Sequence, residues 1–297
     1  LRKIKLIVAG LMMILTLVVA GCSSMMASYD PNAPIGKQTH DTITGIEPGS
    51  GEMQVLENKV MKDYGLNHWN LESGSEATMT ASLDDAIRNR APIIITGWTP
   101  HWIFQKYNLK YLKDPKGAFG AEEAIHTIVH KGFTDEAPNA AKLLDQFYWT
   151  PVDIERVMLD IQNGSEPGEA ARKWIAANAD KVSEWTKGVH KVNGKKITLG
   201  YVAWSSEVAS TNVVAAILGD LGYKVNLELL AAGPMWAGVA QGSIDAIVSA
   251  WLPTTQAVYF MQFKDQLTDL GPNLKGTKMG LAVPSYVKIN SIDDLAK

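Results

Sequence analysis

Two apolar runs in this chain end alike. Ile93-Ile94-Ile95-Thr96-Gly97-Trp98-Thr99-Pro100 and Ala246-Ile247-Val248-Ser249-Ala250-Trp251-Leu252-Pro253 each stop at a Trp with Pro two residues later. The pattern predicts a buried strand whose carboxyl end carries the indole, where open α/β sheets bind ligands. Upstream, Ile43-Thr44-Gly45-Ile46 and Ile197-Thr198-Leu199-Gly200 predict two more strands, starting 55 and 54 residues before Trp98 and Trp251. Each runs into a loop of small residues, Gly49-Ser50-Gly51 in one unit and Trp204-Ser205-Ser206 in the other. A helix, a strand and a second helix follow, the latter with Met79 and Leu83 matching Met235 and Val239. The chain therefore carries an internal β-α-β-α-β repeat with too long a period for a solenoid. Two similar α/β lobes facing across a cleft are expected.

Between the repeats the pattern changes. Met53, Leu56 and Val60, then Met79, Leu83 and Ile87, are spaced as helix faces. The stretch from Trp102 to Tyr111 is aromatic and irregular, and Lys113 to Gly117 reads as a turn. Ile125 to Phe133 is β-rich and suited to cross between lobes. Its His126 and His130 sit on one face of a strand, too far apart to chelate a metal together. Asn139 to Lys187 is helical, with Thr150 capping a helix that starts at Pro151. Trp149, Trp174 and Trp185 belong to that core, and Trp69, Trp102 and Trp236 are also read as core. A last strand is expected over Met279 to Val283 and a short helix from Ser291. The first lobe with its helical extension spans 41–190, and the second, with the crossover segment, 191–297.

Composition adds an address. Arg2, Lys3 and Lys5 precede an apolar run from Leu6 to Ala20, closed by Val19-Ala20-Gly21-Cys22, whose Cys is the single one in 297 residues. This is a secretory leader with a lipobox-like end: 1–21 is the expected signal peptide and Cys22 the expected lipidated residue. The run is short for a membrane span. The chain opens on Leu1 in place of Met, as with a non-standard start codon or a trimmed sequence. Small residues and two Pro make 22–40 a flexible tether. The expected location is the outer face of the cytoplasmic membrane. A net charge of −3 gives no basic face for nucleic acid.

Pro48-Gly49-Ser50-Gly51 leads into a helix start, whose free N–H groups and dipole favour an anion. The Gly-Lys-Ser/Thr of a phosphate loop is missing, so a small carboxylate fits better. Trp98, Trp204 and Trp251 share repeat-equivalent positions at the cleft. A box of indole faces attracts an organic cation that has no N–H to donate. Together these describe a zwitterion site. No sequence signature pairs a nucleophile with a base, and no cofactor is called for.

With these residues in place, the chain resembles the glycine betaine-binding lipoproteins of osmoprotectant ABC importers. The resemblance covers Asp41 to Lys297 and the leader. It rests on Gly45-Ile46-Glu47-Pro48-Gly49-Ser50-Gly51, Ile95-Thr96-Gly97-Trp98-Thr99-Pro100-His101-Trp102, Tyr201-Val202-Ala203-Trp204, Ala232-Gly233-Pro234-Met235-Trp236 and Ser249-Ala250-Trp251-Leu252-Pro253. It implies a type II periplasmic-binding-protein fold with permuted lobe order and the ligand cleft between the lobes. It also implies a prism of Trp98, Trp204 and Trp251 around trimethylammonium, with the backbone amides of Gly51 and Glu52 on the carboxylate. Relatives often carry His five residues after the last prism Trp; here Gln256 stands there, a donor without positive charge. The implied partners are glycine betaine or a similar zwitterion, the ABC permease and, through it, the ATPase subunit, with the membrane reached through lipid on Cys22. Competing readings are a choline or carnitine receptor, an extracellular enzyme on quaternary ammonium compounds, and a structural lipoprotein whose Trp residues are all core.

Overall fold

The structure, a computed structural model, describes residues 27–296. The leader, Cys22 and the start of the tether lie outside the described residues. The later part of the expected tether is docked on the body. Tyr29 N donates to Arg90 O at 2.8 Å, its hydroxyl accepts from Lys288 N, and Ile35 is buried in a short helix, α1 (Ile35–Thr39). Two isolated anchors among polar residues carry no periodicity, which is why this docking is invisible in the pattern.

Both repeat units form as expected. In the first, β1 (Thr42–Thr44) leads to helix α2, which runs Gly51–Val55, through a π-helical turn at Leu56–Val60, to Met61–Asp63. Then come β2 (Asn70–Glu72), α3 (Glu76–Arg88) and β3 (Ile95–Thr99). A helical turn α4 (Ile103–Lys106) and β4 (Leu109–Tyr111) fill the aromatic stretch. After β5 (Glu123–His130) the helical region supplies α5 (Phe133–Glu136), α6 (Pro138–Gln146), α7 (Pro151–Gln162), α8 (Pro167–Ala177) and α9 (Ala179–Trp185). The second unit is β6 (Lys196–Tyr201), α10 (Ser205–Asp220), β7 (Lys224–Leu229), α11 (Ala232–Gln241) and β8 (Ala246–Leu252). Helix α12 (Ala257–Phe263) and strand β9 (Leu267–Pro284) complete the chain up to a terminal 3-10 turn.

Strand pairing makes the internal symmetry explicit. The sheet order is β2-β1-β3-β9-β5-β8-β6-β7, with β4 also on β9. In one half β1 pairs parallel with β2 and β3, and β3 pairs antiparallel with β9. In the other, β6 pairs parallel with β7 and β8, and β8 pairs antiparallel with β5. Met79, Leu83, Met235 and Val239 are all fully buried, so the matched helices cover matched sheet faces.

The strands divide the chain differently from a cut at residue 190. β5 lies in the second half-sheet, and α7 and α8 pack on α10, so the helical extension belongs with the second unit. The chain returns to the first half inside β9, which pairs with β5 up to Thr277 and with β3 from Lys278. β9 is 18 residues long where a five-residue strand is expected. Gly271, Pro272 and Gly276 hide it in the sequence, because they read as turns yet fall at register shifts that let the strand bend.

The remaining indoles pack as core. Trp149, Trp174 and Trp185 form an aromatic cluster, Trp174 and Trp185 stacking at 5.5 Å, and Trp69, Trp102 and Trp236 are buried. His126 pairs with Asp269 at 2.9 Å and His130 faces Asp245, so neither shares a ligand set with the other.

Candidate functional site

β3 and β8 end alike, each at a Trp followed by a cis X–Pro bond, Thr99-Pro100 and Leu252-Pro253. Both indoles line a cavity between the half-sheets. Its lining includes Trp98, Trp204 and Trp251, the helix start Ser50-Gly51-Glu52, and Gln256. All six residues singled out as ligand-binding from the sequence therefore meet at one cavity. Sequence reasoning missed Ile46, Ser206, Thr255 and Met279, which also line it. Thr255 adjoins Gln256, and Ser206 lies two residues after Trp204. Met279 had no sequence signal, since it enters only because β9 places it opposite Trp98.

Each wall has a local cause. Ser50 caps α2, its Oγ accepting from Met53 N at 3.3 Å, which leaves the N–H groups of Gly51 and Glu52 at the cavity. The Glu52 side chain turns away from them: Oε1 accepts from Gly97 N at 3.1 Å. Burial pushes this carboxyl up to about 8, against the opposing backbone N–H groups of Gly97 and Gly280. It is therefore largely protonated at neutral pH. Glu207, in the first turn of α10, is a second buried carboxyl: Oε2 accepts from Val202 N at 2.6 Å, and burial pushes it up to about 8. Among the described residues no Lys, Arg or His lines the cavity. It offers indole faces and helix N–H groups, so a cation with its own carboxylate suits it better than a bare anion.

The cleft is shut. Trp204 Nε1 donates to Glu47 Oε2 at 2.7 Å, fixing the indole against the opposite unit. Tyr259 OH donates to Gly49 O at 2.7 Å, and Ser205 N donates to Glu76 Oε2 at 2.8 Å. Glu123 holds the rim loop, accepting from the N–H groups of Thr254 and Thr255. Gln256 Oε1 accepts from Trp251 N at 3.0 Å, so its amide NH2 is the end left to meet a ligand.

Comparison with known proteins follows the same lines. A family model described as "Substrate binding domain of ABC-type glycine betaine transport system" matches residues 26–177 and 195–297. The chain is 49% identical over 294 residues to the glycine betaine/carnitine transport binding protein of Listeria monocytogenes serotype 1/2a, covering 98% of each. Among solved structures, lactococcal OpuAC in its closed-liganded conformation with glycine betaine shares 48% identity and a TM-score of 0.50. That alignment covers 56% of this chain and 64% of that one, just under two thirds of its length. The glycine betaine/L-proline-binding protein of Borrelia burgdorferi aligns at 32% identity and a TM-score of 0.47, over 52% of this chain and 58% of that one.

Proposed function

We propose that this chain, which belongs to the family of substrate-binding domains of ABC-type glycine betaine transport systems, captures glycine betaine or a related quaternary-ammonium zwitterion for import. Membership makes it an extracytoplasmic transport binding protein and not an enzyme. Trp98, Trp204 and Trp251 hold the trimethylammonium, each indole contributing about 0.5–2 kcal/mol when desolvated. The N–H groups of Gly51 and Glu52 take the carboxylate, joined by the Gln256 amide. The observation that carries the reading is the convergence of three indoles and an open helix start on one cavity without a cationic side chain. The loaded, closed protein then docks on the permease, which passes the ligand on with the ATPase subunit. Lipid on Cys22 keeps it at the membrane.

Carnitine is the second reading, because the Listeria relative is named for it and it carries the same two end groups. Choline lacks the carboxylate and leaves the Gly51 and Glu52 amides unused. Titration calorimetry with glycine betaine, carnitine and choline tests the order. Glycine betaine and carnitine are expected to bind more tightly than choline. Equal affinity for choline would remove the helix start from the site.

A further inference from the structure

We propose that Glu76, reaching across the cleft, is a positioning residue that caps helix α10 of the second unit and so holds the closed, loaded state. The inference rests on the function proposed above.

The repeat symmetry poses the problem. α2 and α10 start at equivalent points of the two units, and the first N–H groups of any helix need acceptors. α2 is capped by its own Ser50, and its other amides face the cavity. α10, 16 residues long, begins after Trp204, whose side chain makes no cap and whose indole is bound to Glu47. The first N–H of α10, on Ser205, is satisfied from the opposite unit by Glu76 Oε2 at 2.8 Å. A carboxylate at a helix start is favoured by the dipole as well as by the hydrogen bond. Both pseudo-symmetric helix starts thus border the cavity, but the first N–H of α10 is already taken by the protein's own carboxylate. This fits a ligand with a single acidic group.

Glu76 is itself braced. It is only 6% exposed, and its Oε1 lies 3.1 Å from His101 Nε2, off the line of a well-directed hydrogen bond. His101 Nδ1 accepts from Ile103 N, so Nε2 is the donor that faces the carboxylate. The His101 ring stands edge-on to Trp98, centroids 4.4 Å apart at 74°. The carboxylate that locks the second unit therefore also supports the indole wall of the first. When the lobes part, Ser205 N–H and Glu76 are released to water, so the bond acts on the closed state alone.

Stopped-flow tryptophan fluorescence with glycine betaine tests this on the unchanged protein, Glu76→Ala, Ser205→Pro and the double variant. Proline removes the N–H and is well accepted at the first helical position. Either single change is expected to speed release about tenfold, as for loss of a charge-assisted hydrogen bond, with association within about twofold. A merely structural role for Glu76 would instead lower the melting temperature of the ligand-free protein and leave release unchanged. The double variant is expected to release no faster than the worse single one, because both remove one bond. Release from Glu76→Ala at the unchanged rate, or effects that multiply in the double variant, would overturn the inference alone. No binding by the unchanged protein would overturn the proposed function and this inference with it.

Discussion

The carbonyl oxygen of Thr255 lies 1.9 Å from where a β-carbon on Gly51 would stand. The two residues belong to opposite walls of the cavity, and they approach this closely because residue 51 has no side chain. An added methyl must push backbone aside, which costs about 1–3 kcal/mol. Gly51→Ala is expected to fold normally and to lose glycine betaine affinity about ten- to a hundredfold. Calorimetry checks the affinity, and small-angle scattering at saturating ligand should show incomplete closure. Unchanged affinity would mean that the cleft does not shut on Gly51.

Glu52 makes stability depend on pH. Its carboxyl, ordinarily near 4.5, is pushed up to about 8 by burial. Between those values the folded chain keeps a proton that the unfolded chain has lost. Stability from this group is therefore full below about pH 4.5 and is lost as pH rises through about 8. Glu52→Gln imitates the protonated acid and removes its share. Melting of the ligand-free protein at about pH 5.5 and 8.5 should show a smaller drop in the variant than in the unchanged protein. Glu207, also raised to about 8, keeps part of the slope. An equal drop in both proteins would contradict the assignment.

Gln256 cannot titrate, so residue 256 adds no pH dependence of its own. A His there can turn one ring nitrogen to the cavity and, once protonated, donate to the carboxylate with a positive charge, giving up the acceptor that Gln256 Oε1 offers Trp251 N. Gln256→His is expected to bind glycine betaine more tightly at about pH 6 than at about pH 8, by ~1 kcal/mol, with no such gain for choline. Calorimetry at both pH values checks it. The unchanged protein's pH profile in the variant would place residue 256 away from the carboxylate.

Trp98, Trp251 and the Gly51 helix start were legible in the sequence because strand ends and glycine-rich starts are local patterns, and the repeat assigned them to one cleft. The two matched units were legible for the same reason. Glu76, His101 and Met279 were not, since their roles depend on which elements meet across the cleft and on strand register. β9 was cut short because its Gly and Pro obey turn statistics locally while the sheet overrules them. The docking of Tyr29 depends on partners far along the chain, Arg90 and Lys288.

The proposed anchor rests on Val19-Ala20-Gly21-Cys22. Cys22→Ala is expected to prevent lipid attachment, leaving the protein either shed into the medium or unprocessed. Fractionation with metabolic fatty-acid labelling checks it. A processed, unlabelled protein that stays with the membrane would place the anchor elsewhere.

The central claim, an indole cage for a quaternary ammonium, is tested most directly by glycine betaine calorimetry on Trp251→Ala beside Trp185→Phe. Trp251 lines the cavity, whereas Trp185 stacks on Trp174 and donates to Tyr148 O, away from it. The cage predicts a loss of ~1–3 kcal/mol for Trp251→Ala and no change in affinity for Trp185→Phe. Equal losses in two folded variants, or full affinity in Trp251→Ala, would contradict it.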